Sequence, residues 1–209
     1  MEQMNDIKKT EPTTAEEMTE QVEAKAKGKK LKNVSTTKKI VTTAIFSTLA
    51  FLTSYFEIPL FPAAGFLKLD FSAVFILLCG FMFGAGYGVT ACAIKELLCC
   101  FKTSTGYVGE LANFVVISAF ILIPSIVYQH KKGLTSVIVT LIIASVVQIG
   151  LSLLANRFIN FPLFMGDGAK EAFHSLWGFI VAFNAIKSVT ISLITILLYK
   201  RISTLIKAI

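Results

Sequence analysis

Lys187 is the residue whose position most needs a chemical explanation. It is the single charge in Ser175–Tyr199, an otherwise apolar run, and it stands in the middle of that run. An ionisable group inside a membrane span is costly and marks a functional site by default. A lysine near the end of a span can reach the interface with its ammonium, but a central one reaches it with difficulty. Asn184 lies three positions earlier, so the two side chains share a helix face and offer donors and an acceptor together. Either a ligand or an internal polar network answers to that face. Lys95 and Glu96 are a second charged pair within an apolar stretch. Adjacent helical residues point in different directions, so each is expected to find its partner on another helix, in a buried ion pair or on a substrate. Glu110 and Asn113 open a further apolar segment on one face, after Thr103-Ser104-Thr105-Gly106, a run suited to a helix N-cap at Thr105. Asn156 and Arg157 close another segment, where Asn156 serves either the helix end or a ligand.

These residues do not compose an enzyme. The glycines of Gly84-Ala85-Gly86-Tyr87-Gly88 have the wrong spacing for a dinucleotide fingerprint and no βαβ unit around them. No Walker A sequence is present, so this chain does not hydrolyse ATP by that route, and HExxH and GxSxG are absent. His130 and His174 fall at loop edges on opposite sides and do not make a metal site. Cys79, Cys92, Cys99 and Cys100 lie in apolar segments without zinc-site spacing and read as small buried hydrophobes. Neither a metal nor a cofactor is implied. The net charge of +7 does not point to nucleic acid, because the basic residues flank apolar runs and form no stripe.

The elements that must position these side chains are membrane helices. The chain is 55% hydrophobic and 16% charged, with mean hydropathy +0.71. Soluble domains carry about a quarter charged residues. Of 20 Lys and Arg, nine lie in residues 1–39, and of 13 Asp and Glu, seven lie there. Residues 1–38 are therefore a separate polar zone, expected to be a disordered or partly helical cytoplasmic tail, with a short amphipathic helix conceivable at 14–26. It lacks the apolar core of a signal peptide. Residues 39–203 are expected to form the membrane domain. A span needs about 20 mostly apolar residues. Ile40–Phe56, Leu111–Tyr128, Leu134–Asn156 and Ser175–Tyr199 qualify, and Phe71–Phe101 divides into two short helices at the glycine cluster. Six helices put the Lys-rich N-terminus, His130-Lys131-Lys132 and Lys200-Arg201 all in the cytoplasm, whereas five would place the last two outside. The expected fold is thus an all-α, multi-pass protein of the cell membrane with six transmembrane helices and both termini cytoplasmic. Glu57–Asp70, Lys102–Gly109 and Arg157–His174 become outer loops, long enough for a lid or binding role. In the first helix, Ala44 and Thr48 form a small-xxx-small pair, which permits close helix approach in lipid.

Four segments carry a resemblance to a known family. They are Phe66-Leu67-Lys68-Leu69-Asp70-Phe71-Ser72; Ser104-Thr105-Gly106-Tyr107-Val108-Gly109-Glu110-Leu111-Ala112-Asn113-Phe114; Asn156-Arg157-Phe158 with Pro162; and Phe183-Asn184-Ala185-Ile186-Lys187 followed by Leu197-Leu198-Tyr199-Lys200-Arg201. Over roughly residues 38–202 the sequence resembles the S component of an energy-coupling-factor (ECF) transporter, of the riboflavin-binding type. The resemblance implies a six-helix subunit that captures a vitamin from outside and works with a transmembrane coupling subunit and two ATPases. It implies that Ala44 and Thr48 meet the coupling subunit, Thr48 standing where Ala is more usual, and that Asn156, Asn184 and Lys187 contact the flavin. One departure follows Ser72, where the family continues Asp-x-Pro and this chain has Ala73-Val74-Phe75. An isoalloxazine ring asks for an apolar slot with a few polar groups, and asparagine suits its imide edge. Thr105 and Glu110 suit the ribityl hydroxyls, and Lys95 is a further candidate contact. FMN, or another vitamin such as folate, thiamine or pantothenate, remains an alternative ligand, and a membrane assembly role the alternative to transport.

Overall fold

The computed structural model describes residues 35–103 and 106–208, with side chains through residue 198. Residues 1–34 of the polar zone, including 14–26, and Thr105 lie outside the described residues, while Thr36–Lys38 already belong to the first helix. The remainder is mostly helical: α1 (Thr36–Thr53), α2 (Ser72–Phe83), α3 (Ala85–Cys99), α4 (Val108–His130), α5 (Leu134–Ala155), a short α6 (Phe161–Met165) and α7 (Ala169–Ala208). Each of the six expected helices has a counterpart. Among the described residues two stretches are long and apolar enough to cross a bilayer by length and composition alone: Val108–His130, whose most apolar 18 residues have mean hydropathy 2.2, and Leu134–Leu198, whose most apolar 18 have 2.5. The second stretch runs through α5 and α6 and into α7 as far as Leu198. Helices α2 and α3 are shorter, at 12 and 15 residues.

The glycine cluster does divide its segment, but at one residue. Gly84 has φ +105°, which a side chain would strain, while Gly86 and Gly88 continue within α3. Gly88 has a different task. A Cβ there would meet Gly80 Cα at 3.1 Å and Ile121 Cγ2 at 3.0 Å, so the two glycines let α2, α3 and α4 close on one another. The core beside this contact is apolar, with Ile76, Leu77, Phe81, Phe120, Ile121 and Leu141 almost wholly buried. Large apolar side chains also face outward, among them Ile142, Val146, Leu193 and Leu197, while Lys95, Glu96, Gln148, Asn156, Asn184 and Lys187 are buried. Charged and amide groups inside and aliphatic groups outside is the distribution lipid favours.

The outer connections depart from simple loops. Within Glu57–Asp70, Ile58–Pro59 pairs antiparallel with Lys68–Leu69, a short β-ribbon that qualifies the all-α expectation. Pro59 restricts Ile58 to the extended region, which suits a strand. The expected loop Arg157–His174 is largely helical. A π-helical turn, Asn156–Asn160, leads into α6, which has Pro162 in its first turn and ends at Gly166 with φ +54°. Proline is tolerated at a helix start and glycine at positive φ ends one, so the residues that mark a loop in sequence here bound a short helix. The N-cap position of α4 is Tyr107, in a left-handed conformation with no side-chain cap, and its N–H donates to Thr103 Oγ1 at 3.3 Å. Gly106 and Tyr107 both take positive φ where the chain turns into α4.

Candidate functional site

A cavity of about 590 Å³ lies among α3, α4, α5 and α7, roofed by the β-ribbon and α6. That volume is within the range of small-molecule sites, about 300–1,000 Å³. Six of the seven binding candidates line it: Lys95, Glu110, Asn113, Asn156, Asn184 and Lys187.

The partners of the charged residues differ from expectation. Lys95 Nζ donates to Glu96 Oε1 at 2.9 Å, so the adjacent pair does bind itself. Their Cβ vectors diverge, but both side chains are long enough to turn back toward one another, and two buried charges are stabilised by pairing. Asn113 Nδ2 donates to the same carboxylate oxygen at 2.5 Å, tying α4 to α3. Lys187 Nζ donates to Asp70 Oδ2 at 3.1 Å, and it lies 5.9 Å from the Phe183 ring centroid. Asp70, assigned by sequence to the end of an outer loop, is in fact buried. Its other oxygen accepts from the Ser72 N–H at 2.9 Å and from the Ser72 hydroxyl. One carboxylate thus secures the start of α2 and the middle of α7 at once.

The amides form a second network. Asn184 Nδ2 donates to Ser152 Oγ at 2.7 Å, and Asn156 Nδ2 donates to the Ser152 carbonyl at 2.8 Å. Asn160 Nδ2 donates to Asn156 Oδ1 at 3.1 Å. Asn156 is therefore neither a simple helix end nor isolated. It opens the π turn, a feature frequent at functional sites, which carries Asn160 round to the cavity. At the mouth, Glu57 accepts from Lys68 at 2.9 Å and lies 3.5 Å from Lys102. Burial alone would raise the Glu57 carboxyl, but hydrogen bonds and charge from Lys68 and Lys102 outweigh it and hold it below the usual glutamate range.

Asp70, Gln148, Ser152 and Asn160 were not singled out in the sequence. For α5 a signal existed: Gln148, Ser152 and Asn156 recur every four residues in an apolar helix, a polar stripe on one face. Asp70 gave only its place two residues before a helix-starting serine. On the outside of the bundle, Ala44 and Thr48 are exposed, while Thr43, Ser47 and Ala50 form the inward face of α1.

The profile of the substrate-specific component of ECF transporters matches residues 38–199. The chain belongs to that family. A solved structure of the S component of a bacterial ECF transporter superposes with a TM-score of 0.72 at 33% identity, covering 83% of this chain and 99% of that one. Riboflavin transporter RibU of Staphylococcus aureus (strain TCH60) is 32% identical over 187 residues, covering 87% of this S component and 99% of the relative. Riboflavin transporter RibU of Streptococcus thermophilus is 28% identical, covering 79% and 83%. Riboflavin transporter FmnP of Bacillus subtilis is 24% identical, covering 78% and 90%. The S component is accordingly a membrane protein built to bind a transport substrate.

Proposed function

We propose that this S component captures riboflavin from outside the cell for uptake powered by partner ATPases. The observation that carries the reading is the charge balance of the cavity. Its lining holds four lysines, Lys68, Lys95, Lys102 and Lys187, and four carboxylates, Glu57, Asp70, Glu96 and Glu110. A site whose charges cancel suits a neutral ligand rich in donors and acceptors. It suits riboflavin better than FMN, folate or pantothenate, which are anions, or thiamine, which is a cation. The names of the relatives point the same way.

Asn156, Asn184 and Lys187 then contact the flavin ring, with Lys95 and Asn113 holding Glu96 beside it. Glu110, together with Thr105, meets the ribityl hydroxyls. Residues 39–203 form the substrate-binding domain, crossing the bilayer six times through α1 to α5 and α7, and residues 1–38 are a cytoplasmic tail. The basic clusters His130-Lys131-Lys132 and Lys200-Arg201 favour placing both termini in the cytoplasm. The chain performs no catalysis and holds riboflavin as cargo, with no cofactor of its own. A transmembrane coupling subunit docks at Ala44 and Thr48 and joins it to two ATPases.

Titration of the detergent-purified protein, followed by flavin fluorescence, tests the assignment. One-site quenching at or below micromolar riboflavin is expected, with weaker competition by FMN. Absence of quenching, with folate, thiamine or pantothenate binding instead, overturns it.

A further inference from the structure

We propose that Glu57 makes the site prefer riboflavin over its phosphate, because the Glu57 carboxylate fills an anion seat that Lys68 and Lys102 form at the mouth. The inference rests on the riboflavin reading of this cavity. The charged lining sorts by depth. Lys95, Glu96, Lys187 and Asp70 form the inner set, with side chains 3%, 7%, 6% and 9% exposed. Lys68, Glu57 and Lys102 form the outer set, at 45%, 34% and 22%, joined by the half-buried Glu110. Each set has two lysines against two carboxylates, so neutrality at the mouth depends on Glu57.

The seat has the form of a phosphate site. Lys68 Nζ donates to Glu57 Oε2 at 2.9 Å, and Lys102 Nζ lies 3.5 Å from Oε1, so each carboxylate oxygen has its own ammonium. Both lysines keep other anchors. The backbone of Lys68 is fixed in the β-ribbon opposite Pro59. Lys102 Nζ donates to the Ser54 carbonyl at 2.5 Å and lies 4.4 Å from the Tyr55 ring centroid. FMN carries its phosphate on the last ribityl carbon. With the ring held by the buried amides and Lys187, and the ribityl chain at Glu110, that carbon is directed to the outer set. A phosphate monoester brings a charge of about −1.5 to −2 at neutral pH. It meets lysines already engaged and a carboxylate of like sign, whereas the uncharged terminal hydroxyl of riboflavin meets no such repulsion. The discrimination comes from an occupied anion seat, not from the shape of the ring slot.

The test measures the ratio of riboflavin to FMN affinity, by flavin fluorescence, in the parent and in Glu57→Gln and Glu57→Lys. Glu57→Gln keeps the size of the side chain and removes its charge. The parent should favour riboflavin. Glu57→Gln should lower that preference by about tenfold, the combined worth of two partly exposed ion pairs. Glu57→Lys should lower it further. The change should shrink in high salt, since the mouth is open to water. Adding Lys68→Gln to Glu57→Gln makes the mouth neutral again and should restore most of the preference. A ratio unmoved by either Glu57 variant overturns the inference. So does an equal loss for both flavins, which would make Glu57 only a brace between the ribbon and Lys102. A parent that binds FMN as tightly as riboflavin overturns it too. In each of these cases the riboflavin assignment stands. A parent that fails to bind riboflavin overturns the assignment itself and this inference with it.

Discussion

Lys187 and Asp70 are 117 positions apart in the chain and 3.1 Å apart in space, and that contact changes what a substitution at either should do. Removing one member of a buried ion pair strands the other and destabilises by about 3–5 kcal/mol. Lys187→Ala should therefore express poorly and melt well below the parent, because the Asp70 carboxylate is left buried. It should also weaken flavin binding by roughly tenfold to a hundredfold, the worth of a charged hydrogen bond of about 1.5–3 kcal/mol. The double variant Asp70→Asn, Lys187→Met removes both charges and should recover most of the lost melting temperature without recovering affinity. Thermal melts and flavin titration of the single and double variants separate the two roles. A double variant no more stable than Lys187→Ala would show that the pair is not what anchors α7 to the start of α2.

Helix α1 has two faces of small residues with different prospects. Thr43 and Ser47 are buried, and their hydroxyls donate to the carbonyls four residues earlier at 2.8 Å each. Ala44 and Thr48 are exposed on another side, and Thr48 likewise satisfies its hydroxyl within the helix, donating to the Ala44 carbonyl at 3.0 Å. A face of small side chains with no polar group left over can accept a second helix at short range in lipid. Thr48→Trp should abolish riboflavin uptake in cells while the purified protein binds riboflavin with unchanged affinity. Loss of both would place Thr48 in the packing of the bundle, against its exposure. The inward positions should behave in the opposite way, since bulk at Ser47 would press on the core that shapes the cavity.

As a whole molecule, the S component has a closed charge ledger in its cavity and no nucleotide-binding motif in its sequence. On the proposed reading it holds a neutral ligand and draws the energy for uptake from partner ATPases. Reconstituted alone in liposomes, it should bind riboflavin and fail to concentrate it. Accumulation driven by a proton or sodium gradient would refute the dependence on partner ATPases. Addition of a coupling subunit and its ATPases with ATP should produce net uptake.

The amino-acid sequence by itself determined the features that depend on local composition. Apolar runs of span length predicted the long helices, the glycine cluster predicted the division near Gly84, and unusual polar residues in those runs predicted six residues of one cavity. These were legible because a polar group in an apolar segment is anomalous wherever the segment goes. Partnership was not legible, because it is a property of three-dimensional approach. Asp70 looked like a loop residue until the chain folded it against Lys187. Lys95 and Glu96 looked divergent on a helical wheel, which fixes Cβ directions but not where long side chains end. Pro162 and Gly166 were read as loop residues, although the same chemistry starts and stops a short helix. Tertiary structure decided these contacts because the free energy of a buried polar group depends on what surrounds it, and its own sequence neighbours do not specify those surroundings.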